Sequence, residues 1–355
     1  MRIAQLAPTY ERVPPPAYGG TENVVHLLTE ELVRRGHDVT LFASGDSRTS
    51  ARLRSITPRA MRYGMLHGDL RHAEYLQLAN AQACFLAAAD GEFDVVHNHA
   101  GIEGLVLGAT SRTPVLTTNH NPYVEATRPI WEAYPWAHHA LSAASAPTFP
   151  ARGQLPPIHH GIDVASFPFA AQPTESDDSY LVFLGRFMPE KGAAQAIEAA
   201  RRSGRTLVLA GKVDQADVDF FTGHVAPQID DVGIKYVGEA DPEGKRLLLA
   251  GADALLFPIS WDEPFGLVMI ESLACGTPVI GFRRASVPEV VDDGETGFIV
   301  DDVDGMVEAI GRIGDIDRSQ CRDAAERRFD VSRMAQDYER HYETLVGSAA
   351  AALSS

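Results

Sequence analysis

Short apolar runs of four to six residues alternate along this chain with stretches in which apolar positions recur every three to four residues. Ile3–Ala7 is a run of the first kind and predicts a buried strand. Thr21–Arg35 carries the helical period and is stopped by Gly36, and Asp38–Ala43 predicts a second strand. Asp94–His97 and Pro114–Thr118 predict further strands, with helices expected over His72–Ala89 and Ile102–Gly108. Short strands separated by helices require parallel pairing and right-handed crossovers, so this half predicts a doubly wound sheet.

The same alternation then restarts. Tyr180–Gly185, Thr206–Ala210, Ile234–Val237, Ala254–Phe257, Pro278–Gly281 and Phe298–Val300 predict strands. Helical patterns fill the gaps at Ala193–Ser203, Gly244–Ala250, Leu267–Cys275 and Met306–Ile313. Between the halves, 167–179 is polar and broken by Pro168 and Pro173, as a domain linker would be, which puts the boundary near Ala171–Asp178. A last helix over about Val331–Leu345 has no strand after it, and the alanine-rich Ser348–Ser355 is expected to fray.

With 355 residues the chain exceeds one core and suits two of about 150–180 residues. Its 45% hydrophobic and 22% charged content is that of a globular protein. A formal net charge of −17 argues against nucleic acid or an anionic membrane as partner. Cys84, Cys275 and Cys321 are odd in number and widely spaced, which predicts no disulfide framework and a cytoplasmic, reducing location. The amino-terminal apolar run is too short for a signal peptide, and no run approaches a membrane span.

The candidate chemistry lies at strand ends. Arg186 and Lys191 follow the strand predicted over 180–185, within reach of one site, and suit two phosphates, one bidentately and one as a point charge. The other reading of these two is an Arg186–Glu190 pair and a solvated lysine. Glu263 and Glu271 stand eight positions apart around a helix start at Phe265-Gly266-Leu267, where bare backbone N–H groups favour an anion. A capping acid and a satisfied surface acid are the alternatives for the two glutamates. Gly238-Glu239 after one strand and Lys212 after another are candidate rims of a base pocket, though post-strand glycine turns are common. Gly19 and Gly20 precede the first helix without a GxGxxG fingerprint, which argues against NAD. Asn98, His99 and His120 end two strands of the first half. Three nearby histidines (97, 99 and 120) also suggest zinc, but no HExxH or cysteine partner supports it. His138-His139 and His159-His160 have no constellation and read as structural. No Asp-x-Asp sits at a strand end of the first half to bridge a metal to a diphosphate.

The Glu263-x7-Glu271 spacing, Gly185-Arg186-x4-Lys191-Gly192 and Tyr18-Gly-Gly-Thr-Glu22 together resemble the retaining glycosyltransferases of family 4, over Met1 to about Tyr342. The resemblance implies the α/β GT-B fold, two doubly wound Rossmann-like domains facing a central cleft. They would be 1–171, with the helix 331–346 packed back on it, and a nucleotide-sugar domain 178–330. It implies hexosyl transfer with retention, no metal and no cofactor. The partners would be a nucleotide-diphosphate sugar, UDP-hexose favoured, and a small-molecule or glycan acceptor. By residue it implies Arg186 and Lys191 on the diphosphate, Glu263 on donor sugar hydroxyls, Glu271 on the ribose and His120 near the sugar and its phosphate. Asn98, His99 and Tyr123 fall on the acceptor side, where 59–69 and 123–134 are candidate acceptor loops. The aromatics of the second loop, Tyr123, Trp131 and Tyr134, with Trp136 just beyond it, fit either sugar stacking or plain packing.

Other classes make different demands. A glycoside hydrolase would use the two glutamates but not the Arg186/Lys191 pair. A nucleotide-sugar epimerase would convert donor without acceptor, and a silent binding protein would bind donor without turnover.

Overall fold

The computed structural model describes residues 1–16, 19–62, 72–172 and 179–354. Tyr18, most of the 59–69 loop, 173–178 of the expected linker and Ser355 lie outside the described residues. The chain forms two compact units: Met1–Gly161 joined by Val331–Ser355, and Ile162–Asp330.

In the first unit β1 (Arg2–Leu6), β2 (Asp38–Phe42), β3 (Arg52–Arg54), β4 (Val95–Asn98), β5 (Val115–Thr118) and β6 (His138–His139) form one sheet in the order β3-β2-β1-β4-β5-β6. Every pairing is parallel. The apolar runs are there because both faces are covered: β4 and β5 are buried at every position. One face packs Phe42, Val96 and Val115 with Cys84 and Phe85 of α2 (Ala73–Ala89). On α1 (Gly20–Arg34), Val24, Val25, Leu28 and Leu32 form the buried stripe. The helix ends where Gly36 turns to φ 90°. A third helix, α3 (Ile102–Gly108), connects β4 to β5.

The second unit repeats the plan. β7 (Tyr180–Leu184), β8 (Thr206–Ala210), β9 (Ile234–Tyr236), β10 (Ala254–Phe257), β11 (Val279–Phe282) and β12 (Gly297–Val300) pair in the order β12-β11-β10-β7-β8-β9, again all parallel. The helices α4 (Ala193–Ser203), α5 (Pro242–Gly251), α6 (Leu267–Ala274), α7 (Val303–Ile310) and α8 (Arg318–Phe329) accompany it.

Three features depart from the expectations. Arg52–Arg54 and His138–His139 are strands without an apolar run, each held at an outer edge by its neighbour's backbone. The helix α8 buries mainly small residues, Cys321, Ala324 and Ala325, so it shows no strong periodicity. The division between units falls at Gly161/Ile162, ahead of the expected 171–178, because 162–170 is bound to the second unit. Ile162 N donates to Phe329 O at 2.8 Å, and the buried Arg318 guanidinium donates to Ala170 O at 2.7 Å and Ala252 O at 2.9 Å.

The final helix, α9 (Val331–Ser354), belongs to the first unit and outruns the expected 331–345, since an alanine-rich tail favours helix. Its Tyr338 and Tyr342 are fully buried, and its Glu339 accepts from Arg35 Nη2 at 2.6 Å. Among the described residues no helix is long and apolar enough to cross a membrane.

Candidate active site

Both sheets reverse direction once. In the first, the chain builds outward from β1 to β3, returns to β4 and proceeds to β6; in the second the reversal lies between β7 and β10. At such a point the loops leaving two adjacent strands diverge and leave a crevice at the carboxyl edge, where open α/β sheets bind ligands. Arg186 and Lys191 lie in the loop after β7, and Glu263 in the loop after β10. The second unit therefore brings these three to the two sides of its own switch point.

Glycines make this crowding feasible. A Cβ on Gly211, after β8, would lie 1.8 Å from Gly185 O, and one on Gly192 would lie 2.1 Å from Pro258 O. The β7–α4 loop is thus pressed onto the chain leaving β10, and Ser260 N donates to Glu190 O at 2.8 Å across the same seam. Lys191 Nζ is ion-paired with Glu263, whose Oε2 also accepts from Trp261 Nε1 at 2.9 Å. The ammonium stands 4.8 Å from the Trp261 ring centroid. Arg186 is held by Asp217 at 2.8 Å and Asp214 at 3.1 Å. Lys212 pairs with Asp214 too, so the ends of β7 and β8 share one charge network. An arriving oxyanion would exchange with these carboxylates.

At the start of α6, Gly266 adopts φ 80° and a Cβ there would meet Phe257 Cζ at 3.0 Å. Phe265 is buried, with its carbonyl accepting from Ser286 Oγ at 2.7 Å. No side chain caps the helix before Leu267. Glu271, one and a third turns in, is buried rather than a surface acid. It faces Lys245 of α5, with Nζ 2.5 Å from Oε1. Gly238, at φ 79°, accepts through its carbonyl from Gly211 N at 2.9 Å, and Glu239 beyond it is exposed. Asp214, Asp217, Trp261 and Lys245 were not anticipated. The acids after β8 and the basic residue on α5 have ordinary spacing, and only the fold brings them to the site.

In the first unit Gly19 fits closely against Pro15, whose Cβ would lie 2.7 Å from a Cβ at that position, and Gly20 opens α1 without a side-chain cap. Asn98 and His99, expected on the acceptor side, are both buried and hydrogen-bonded within the first unit. Asn98 is fully buried, donates to Gly101 O at 2.8 Å and accepts from Ala100 N at 2.9 Å, so it shapes the loop after β4. Both ring nitrogens of His99 are engaged, by His120 Nε2 and Gln5 Oε1, each at 2.8 Å. Tyr123 packs with Leu105, Trp131 and Phe149, its ring 5.6 Å from that of Phe149, which is the packing alternative. His139 and His160, read as structural, join a histidine cluster: His160 stacks on His120 at 5.3 Å. Burial holds His97, His99 and His160 well below the ordinary imidazole range, and His120 and His139 are pushed down to about 3. These rings are neutral.

Two family models match. Residues 18–164 fit Glycosyltransferase Family 4, and 167–328 fit Glycosyl transferases group 1. A phosphatidyl-myo-inositol mannosyltransferase of Mycobacterium tuberculosis is 27% identical over 396 residues, covering 99% of this chain and 98% of that one. Among solved structures, the sucrose-phosphate synthase of Thermosynechococcus elongatus superposes with a TM-score of 0.80 at 22% identity, over 98% of this chain and 100% of the other. HepE of Anabaena, solved with UDP-glucose, superposes with 0.71 at 19% identity over 97% and 100%. The fold is the two-domain α/β GT-B architecture. The chain belongs to the GT4-type glycosyltransferases.

Proposed function

We propose that this glycosyltransferase moves a hexosyl group from a nucleoside diphosphate sugar, UDP-hexose favoured, to a small-molecule or glycan acceptor with retention of configuration. The observation that carries the reading is the pairing of Lys191 with Glu263 across the second unit's switch point, with Arg186 on the same loop as Lys191. Arg186 and Lys191 take the two phosphates in exchange for their present carboxylates, and the amides of Phe265, Gly266 and Leu267 at the head of α6 add the helix dipole. These groups do the work of a cation, so no metal is required. Glu263 takes sugar hydroxyls and Glu271 the ribose. Gly238, Glu239 and Lys212 edge the base pocket, Gly19 and Gly20 present backbone to the donor, and His120 meets the sugar.

In the reaction the anomeric C–O bond breaks with its electron pair going to the diphosphate oxygen. The acceptor oxygen bonds to the same carbon on the same face, and its proton passes to the departing oxygen. The leaving group gains charge, so cations that hold it more tightly after departure lower the barrier selectively. The UDP-glucose bound to HepE supports the uridine donor; the mannosyltransferase relative supports a mannosyl donor as a second reading. The buried free thiols of Cys84, Cys275 and Cys321 accord with a cytoplasmic setting.

A thermal-shift and calorimetric screen of UDP, GDP, UDP-glucose and GDP-mannose tests the donor class. Uptake of none of them defeats the proposal. NMR of the product anomer tests retention, and an inverted product refutes that step.

A further inference from the structure

The buried histidines of the first unit form a hydrogen-bonded chain whose direction is decided at one end. His139 Nδ1 lies 2.8 Å from Ala140 O. A carbonyl only accepts, so Nδ1 carries the proton, and the neutral ring leaves Nε2 as an acceptor. Thr118 Oγ1, 2.7 Å from that Nε2, must donate its single hydrogen there. It therefore accepts from His97 Nε2, also at 2.7 Å. His97 Nδ1 is then a lone pair and accepts from the Tyr342 hydroxyl at 2.6 Å.

With its hydrogen committed to His97, Tyr342 accepts from Gln5 Nε2 at 3.3 Å. That orients the Gln5 amide, whose Oε1 accepts from His99 Nε2 at 2.8 Å. His99 Nδ1 is left as an acceptor and receives the proton on His120 Nε2, again at 2.8 Å. The last atom of the chain, His120 Nδ1, is a buried lone pair with no hydrogen-bond partner among the described residues. Such an atom carries a desolvation penalty until a donor meets it.

We propose that Tyr342 of α9, acting through Gln5 and His99, is a positioning residue that locks His120 in its Nε2–H tautomer, so that the ring offers only an acceptor to the substrate. The proposal deepens the glycosyltransferase reading and rests on it for the identity of the substrate. An obligate acceptor welcomes a sugar hydroxyl and repels a phosphate oxygen, since two lone pairs would face each other. It narrows the expectation that His120 stands near both sugar and phosphate: the ring reads the sugar alone. It also gives the carboxyl-terminal helix a part in the chemistry through one hydroxyl far away in sequence.

Histidine-labelled 15N NMR of the full chain tests the relay without any ligand, with His120→Asn used to assign the resonance. The wild type is expected to show His120 protonated at Nε2 and bare at Nδ1. Tyr342→Phe should convert it to a mixture of tautomers. Tyr338→Phe removes an equally buried hydroxyl from the same helix. That hydroxyl donates to Thr118 Oγ1 at 3.3 Å as a side branch, and since the Thr118 hydrogen is fixed by His139 its loss reverses no link, so His120 should be unchanged. Gln5→Met cuts the relay at the next link and substitutes for Tyr342→Phe if that variant does not fold. An Nδ1–H ring in the wild type, or equal responses to the two tyrosine changes, overturns the proposal.

Calorimetry then compares UDP with UDP-glucose and GDP with GDP-mannose. Tyr342→Phe should weaken the sugar nucleotide that binds by up to about tenfold, one neutral hydrogen bond, and leave the free diphosphate unchanged. Equal weakening of both overturns the sugar assignment. If the wild type takes up no nucleotide at all, the functional reading fails while the tautomer result still decides the relay.

Discussion

Lys245 Nζ lies 2.5 Å from Glu271 Oε1, joining α5 to α6 inside the second unit. The glutamate is buried while the lysine side chain is a quarter exposed, so the carboxylate is the partner with more to lose. Lys245→Met should lower the unfolding free energy at neutral pH by about 1–3 kcal/mol, because it strands a buried charge. Adding Glu271→Gln should recover most of that loss. Under the proposed function, the double variant should still bind nucleoside diphosphate about tenfold more weakly, as a charge-assisted acceptor for the ribose has gone. Urea unfolding and calorimetry on the three variants form the cycle; additive stability losses would show that the pair is not coupled.

Arg186 and Lys191 meet their own carboxylates in this structure, and that predicts how their loss will look. Neutralising either, as Arg186→Gln or Lys191→Met, frees a carboxylate at the phosphate position as well as removing a cation. Each change should lower kcat/KM by about two to three orders of magnitude, as for loss of an oxyanion donor. Lys191→Met with Glu263→Gln should restore diphosphate affinity partly but not turnover. Steady-state kinetics with the donor identified by the screen measures this. Wild-type turnover in the Arg186→Gln, Lys191→Met double variant would remove both residues from the mechanism.

The first unit should be acid-sensitive. His97, His99, His120, His139 and His160 all sit below the ordinary imidazole value of 6.5 because burial penalises their charged form. Between 6.5 and their folded values the unfolded chain binds protons that the folded one does not, so stability is full above 6.5 and falls as pH drops. Each ring contributes at most about 1.4 kcal/mol per pH unit. Unfolding followed by near-ultraviolet circular dichroism at pH 7.5 and 5.5 should show a loss of several kcal/mol; a flat profile would mean that these rings titrate normally.

The fold was legible where both faces of a strand are covered. The apolar runs of β1, β5, β8 and β10 announce themselves, and the helices over 102–108 and 193–203 begin and end where glycine and periodicity place them. Edge strands were not legible, since Arg52–Arg54 and His138–His139 are strands by pairing and not by composition. At the site, Arg186, Lys191, Glu263 and Glu271 stood out through spacing around glycines. Their partners Asp214, Asp217 and Lys245 are contacts between elements distant in sequence, and no local pattern marks them. The histidine relay was hidden for the same reason. His97 and His99 sit at the end of β4, His120 just after β5 and His139 in β6, while the two hydroxyls that order them come from Thr118 and from α9.

The carboxyl-terminal helix supplies the last prediction. Glu339 accepts from Arg35 Nε at 2.9 Å and from Arg35 Nη2 at 2.6 Å, and His37 Nε2 lies 2.8 Å from its Oε1. The Arg35 bonds, aided by those from His37 against the opposing effect of burial, hold this carboxyl down from the ordinary 4.5 to about 2. A depressed carboxylate stabilises the fold above its unfolded value, and that stability is lost as pH falls from about 4.5 towards 2. The shift corresponds to roughly 2–3 kcal/mol, reduced by solvent screening at this half-open site. Glu339→Gln should therefore weaken the docking of α9 at pH 7 and remove this part of the acid dependence. Hydrogen exchange of the 331–349 amides at pH 7 reads the docking directly, and faster exchange in the variant is expected. Equal protection of variant and wild type at pH 7 would show that the tyrosines of α9, and not its glutamate, hold the helix in place.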